Sequence, residues 1–162
     1  RGLGDVYKRQ GLVFLAIALL GATGALTAHH LAKAVGAGRV LLCGPVVAAV
    51  GLVCMALAGH VTTPLLLIYL GAGLCGWGIM TSQALAAGLR QAFAPEEIRG
   101  RVLGTMRFVE WGIMPVGALL GGFAGQLLGV APAVAFSGAL VATGSVWVLT
   151  TGLARLHSVP IP

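Results

Sequence analysis

Residues 40–58 read VLLCGPVVAAVGLVCMALA, nineteen positions without a charged side chain. About 20 mostly apolar residues in helical form cross the hydrocarbon core of a bilayer. A barrel strand would alternate apolar and polar positions with a period of two, and this run is apolar on every face. It reads as a membrane helix, which satisfies its own backbone groups where no water can. Pro45 falls in its first turns, where a missing N–H is least costly.

The remainder of the chain has the same character. Of its 162 residues, 58% are hydrophobic and 9% charged, with a mean hydropathy of +0.99. A soluble domain carries about 25% charged residues. Four further apolar runs lie at 11–28, 64–89, 103–128 and 132–153. The expected fold is therefore all-α: a polytopic transmembrane bundle of five spans over residues 11–154, with a short tail at 155–162.

The net charge is +6 and the pI about 10.1, a balance that would suit nucleic acid. The basic residues are scattered singly, however, with no basic stripe or aromatic platform to follow a phosphate backbone, so a nucleic-acid partner is not expected. Their placement reads better as topology. Lys33 and Arg39 lie between the first two spans, and Arg90, Arg99 and Arg101 between the third and fourth. Arg107 is in the first turns of the fourth span and Arg155 follows the fifth, while the intervening connections GHVTT and Gly129–Pro132 carry no charge. By the positive-inside rule that face is cytoplasmic. The expectation is a multi-pass protein of a cell membrane, in bacteria the inner one, with a cytoplasmic carboxy terminus.

The opening decamer, RGLGDVYKRQ, breaks this pattern. Its Arg1, Lys8 and Arg9 would stand on the outer side. All ten residues fit one reading frame of a sequencing-library adapter whose last part is the transposase mosaic end. Residues 1–10 are accordingly expected to be a translated adapter, set aside from fold reasoning, with native sequence missing upstream of residue 11.

Several chemistries find no support. Cys43, Cys54 and Cys75 sit in apolar runs without a CxxC pair, as small buried hydrophobes. His29 and His30 belong at the inner interface and His60 in an outer turn, too far apart to share a metal or haem. Ser137 and His157 fall toward opposite membrane faces, beyond the reach of a nucleophile–base pair. No GxxxxGK[ST] loop is present for ATP. Neither an enzyme nor a metal or other cofactor is expected.

Glu110 is the one acidic residue inside a span, and intramembrane ionisable groups are functional candidates. Arg107, three residues earlier, shares its helical face and is the expected partner. At about 1.5 Å per residue Glu110 lies roughly 10 Å inside the span. The two are candidates for a gate or a proton-coupling site. In the third span Trp77, Met80, Thr81 and Gln83 are the candidate substrate-cavity residues, an adaptable apolar surface with a neutral hydrogen-bonding group. Gly117, Gly121 and Gly125 repeat on one face of the fourth span and predict close helix packing. Gly21, Gly24, Gly71, Gly73, Gly76 and Gly78 predict the same for the first and third.

The segment APEEIRGRVLGTMRFVEWGIMPVGALLGG resembles the connection between the tenth and eleventh helices of major facilitator superfamily transporters, and the eleventh helix itself. The likeness is to the drug and siderophore exporter branch, which includes macrolide-efflux and enterobactin-exporter relatives. The matching residues are Pro95, Glu96, Arg99, Gly100, Arg101 and Val102, then Trp111, Gly112, Pro115 and Gly117. GALTAHHLAKAVGAGRVLL is similar to the cytoplasmic loop joining helices eight and nine, with Gly24, Leu26, Gly36 and Arg39 in place. Ala28 replaces the acidic residue common there, and His29 an arginine. The resemblance implies that the five spans are helices eight to twelve of twelve. It further implies a cavity-lining third span, flanking first and fourth spans, and outer second and fifth spans. The expected activity is proton-coupled export of lipophilic compounds, drugs or siderophores by alternating access, with the amino-terminal half of the same protein as a partner beside lipid and a small-molecule substrate. The rival expectation is a non-transporting membrane scaffold or complex subunit.

Overall fold

The computed structural model describes residues 2–151; Arg1, Arg155, His157 and the expected tail lie outside the described residues. Five α-helices follow one another: α1 (Gly2–Val35), α2 (Ala37–Leu57), α3 (Pro64–Phe93), α4 (Arg99–Leu128) and α5 (Val130–Thr150), with one 3₁₀ turn at Ala58–His60. Each is long and apolar enough to cross a membrane. The chain is an all-α, multi-pass membrane protein.

The helices outrun the apolar stretches that announce them. HHLAKAVGAGR forms no loop: α1 continues through His29, His30 and Lys33 to Val35, and Gly36 alone separates it from α2. Polar side chains do not end a helix; the backbone must turn. Gly36 does so at φ 95° and ψ 140°, a region essentially reserved for glycine. Its N–H donates to the Ala32 carbonyl (3.0 Å) and its carbonyl accepts from Val40 (3.2 Å), so one residue ends α1 and starts α2. Gly129, at φ 86° and ψ 162°, does the same between α4 and α5. RQAFAPEEIRGR likewise contracts to a connector at 94–98. Because α2 begins at Ala37, Pro45 stands inside that helix rather than in its first turns. α1 runs unbroken through residues 2–10. Its 34 residues extend about 51 Å against about 30 Å of hydrocarbon, so one end projects well beyond the apolar layer.

The interior is made mostly of alanine, glycine and small polar residues, with Val40 and Leu85 the large exceptions. Ala28, Ala37, Ala48 and Ala72 are buried, whereas Phe108, Leu119 and Trp147 are largely exposed. Lipid solvates large apolar side chains as well as protein does, so association rests on close van der Waals packing between small residues. α2 and α3 run antiparallel with their backbones touching at Gly44–Gly78 and again at Gly51–Gly71; a methyl on any of the four would overlap the facing helix. α1 packs parallel to α3 through Leu20 on Gly73, Ile17 on Gly76 and Gly24 on Trp77 and Thr81. α5 runs antiparallel to α2, with Gly138 against Ala49 and Leu52, Gly144 against Pro45, and the Ser145 hydroxyl donating to the Leu42 carbonyl (2.8 Å). Near Gly36, Ala32, Ala37, Val40 and Leu85 close a small apolar core.

Neighbours across the bundle therefore follow the order α1, α3, α2, α5, α4. This corrects the outer position expected for the second span: α2 has small residues on two faces and is gripped from both sides. The peripheral element is α4, which has no buried residue.

Candidate functional site

α3 ends and α4 begins at the end of the bundle that carries Lys33, Arg39, Arg90, Arg99 and Arg101. The five-residue connector between them is turned by the Ile98 N–H on the Pro95 carbonyl (3.2 Å) and by the Arg99 Nε on the Ala94 carbonyl (3.3 Å). Arg99, Gly100 and Arg101 thus lie in the first turn of α4 and not in a loop. Cations at a helix amino terminus oppose its macrodipole; Arg99 is turned back onto the connector, and Arg101 is exposed. Gly24, expected as a loop-motif residue, is twelve positions before the Gly36 joint. A methyl there would stand 2.6 Å from the Trp77 carbonyl oxygen, which makes Gly24 a packing residue of α1. Arg39 is exposed at the start of α2.

Glu110 forms an ion pair with Arg90 of α3. The expected partner, Arg107, is exposed on α4 and makes no ion pair among the described residues. A same-helix neighbour at three residues is available to Glu110, yet the guanidinium from the facing helix takes it. The sequence signal for Arg90 was slight, since the apolar run of the third span stops one residue before it. Arg90 and Glu110 retain 26% and 38% side-chain exposure, so the pair sits in a half-open seam between α3 and α4. α4, at 30 residues, measures about 45 Å, some 15 Å more than the apolar layer is thick. With its Leu128 end at one boundary, Glu110 falls near the other, about 16 Å from the start of α4. Gln83, two turns before Arg90 on the same side of α3, is exposed.

The four expected cavity residues do not converge. Thr81 is fully buried, its hydroxyl donating to the Trp77 carbonyl (2.7 Å) while its side chain meets Gly24. Met80 lies against Gly21, and Trp77 is half-buried beside Gly24. Gln83 is exposed, Met80 keeps 43% of its surface open, and Trp77 meets Gly24 through its backbone. The physical reason for the burial of Thr81 is that α1 seats on the α3 face bearing Gly73, Gly76 and Thr81.

Gly117, Gly121 and Gly125 were expected to pack a neighbouring helix, and a methyl on each would meet nothing within 4 Å. Gly121, Gly122, Gly125 and Gln126 instead form one wall of an open groove of about 490 Å³, with Val130, Ala133, Val134 and Ser137 of α5 as the other. The groove is apolar, and Ser137 donates internally to the Ala133 carbonyl (2.9 Å). Cys43, Cys54 and Cys75 are free thiols, and Cys43 is exposed rather than buried. No cluster of metal-ligating side chains occurs among the described residues. No family model, curated protein or solved structure matches the chain.

Proposed function

We propose that this chain is the carboxy-terminal part of a secondary active transporter of the major facilitator type, exporting lipophilic compounds in exchange for protons. The observation that carries the reading is the Arg90–Glu110 pair, a carboxylate near the edge of the apolar layer held by a cation from another helix. Such groups are expensive in a membrane and are retained for function. Protonation of Glu110 would release Arg90, a way for a proton to change how α3 and α4 are joined. Basic residues collected at one end, read as cytoplasmic, and the sequence resemblance support the same reading. The glycine face of α4 would meet the amino-terminal half, and rocking between the halves would give alternating access.

The test is proton-gradient-driven accumulation of a lipophilic dye in inverted vesicles carrying the longer protein. Accumulation in the parent and its loss in Glu110→Gln are expected. Parent vesicles that accumulate no dye from a panel of lipophilic cations, or undiminished pH-driven transport in the variant, would remove the coupling assignment. The chain of 162 residues alone is expected to insert without transporting.

A non-transporting scaffold or complex subunit is the second reading. It is favoured by Thr81, which is buried in the α1–α3 contact and faces no open cavity. A soluble catalytic domain encoded upstream would point that way.

A further inference from the structure

We infer that the Arg90–Glu110 pair is a latch, and that α4 is a rod jointed at Gly129 and at the connector 94–98 which the latch holds against the rest of the bundle. Three observations lead to it. α1, α2, α3 and α5 are locked by backbone-close contacts at Gly24, Gly44, Gly51, Gly71 and Gly78 and by the Ser145–Leu42 bond. α4 has nothing of this kind: no residue in it is buried, and a methyl on Gly104, Gly112, Gly117, Gly121 or Gly125 would meet nothing within 4 Å. At its far end α4 is joined to α5 by one residue in a glycine-only conformation, Gly129. At its near end α4 follows α3 through the connector 94–98, and the sole side-chain bond from α4 to another helix, among the described residues, is Glu110 to Arg90.

Hinges are a few element-terminal positions that absorb a change in φ and ψ, and Gly129 at one end and the connector 94–98 at the other are such positions for a loosely packed rod crossed by one polar bond. Two states follow: α4 held against α3 at Glu110, or moved off it as far as Gly129 and the connector 94–98 allow. The latch biases that equilibrium because it exists in only one of them. The device does not depend on the transporter reading and would serve a scaffold equally, so either can fail alone.

The experiment measures distances between spin labels in the full chain in lipid nanodiscs. Cys54→Ala and Cys75→Ala leave the exposed Cys43 of α2 as one label site, and Thr105→Cys, exposed on α4, supplies the second. A control pair joins Cys43 to Leu26→Cys, exposed on α1, and reports on the body. The expected result is a narrow 43–105 distribution that broadens and lengthens in both Arg90→Gln and Glu110→Gln while the control pair is unchanged. The charge-swapped protein, Arg90→Glu with Glu110→Arg, should restore the narrow distribution. An unaltered 43–105 distribution in the single variants overturns the latch. Should the single variants disturb the control pair as well, the charge swap decides: recovery of both distances supports the latch, and no recovery overturns it.

Discussion

Gly51 of α2 and Gly71 of α3 meet backbone to backbone, and Gly44 and Gly78 repeat that contact seven residues along each helix. The repeat holds two antiparallel helices at the distance glycine alone permits. Gly51→Leu and Gly78→Leu should therefore each destabilise the bundle by about 1–3 kcal/mol or more through overpacking. Gly117→Leu, on the open face of α4, should be close to neutral in the isolated chain. Unfolding in mixed micelles with increasing SDS, followed by circular dichroism, separates the two classes.

Ser145 bonds the Leu42 carbonyl one residue from the site weakened by Pro45, which has no N–H to give to Leu41. Side-chain hydrogen bonds between membrane helices average about 0.6 kcal/mol. Ser145→Ala should cost about that much in the same assay. Ser137→Ala, whose hydroxyl serves its own helix, should cost less.

Gly36→Ala and Gly129→Ala force a Cβ into backbone conformations that side chains avoid. Each should cost about 1–3 kcal/mol. The two should differ in consequence: Gly36 joins helices that share a core, so its variant loses global stability, while Gly129 joins α4, so its variant mainly changes the 43–105 distance.

A double-mutant cycle distinguishes the partners of Glu110. Arg90 with Glu110 should show a coupling energy of about 0.5–3 kcal/mol, the range for contacting charged residues. Arg107 with Glu110 should show coupling near zero, measured by the same unfolding midpoints.

Topology is tested by a membrane-impermeant maleimide on a cysteine-free background. Lys33→Cys and Glu97→Cys should label from one side only, and Thr62→Cys from the other. Equal labelling of Lys33→Cys and Thr62→Cys from one side would contradict the serpentine crossing.

The five crossings and their alternation are plain in the linear chain, because solvation of a continuous apolar run is a local property. Lipid accepts 40–58 as it stands, and no distant residue is needed to explain that helix. The glycines of α1 and α3 were equally readable as close-packing positions, whereas Gly44 and Gly51 of α2 emerged only from the packing. Helix ends were not: Lys33 and two histidines looked like a loop but continue a helix, since a chain turns where its backbone conformation changes, and a single Gly36 suffices.

Partnership was hidden for a different reason. Arg107 and Gly117 both look engaged in the sequence, yet among the described residues Arg107 makes no ion pair and Gly117 no close contact. Arg90 and Glu110 are twenty residues apart, and nothing local says that their helices lean together there. Likewise Thr81 could have faced a cavity or a neighbour, and α1 settled it by seating on that side of α3. Membership of the lipid phase, span by span, follows from the residues themselves. Which faces meet follows from packing, because the membrane-spanning part of each helix is apolar on nearly every side and hydrophobicity chooses poorly among them; the fit of small residues across a contact decides.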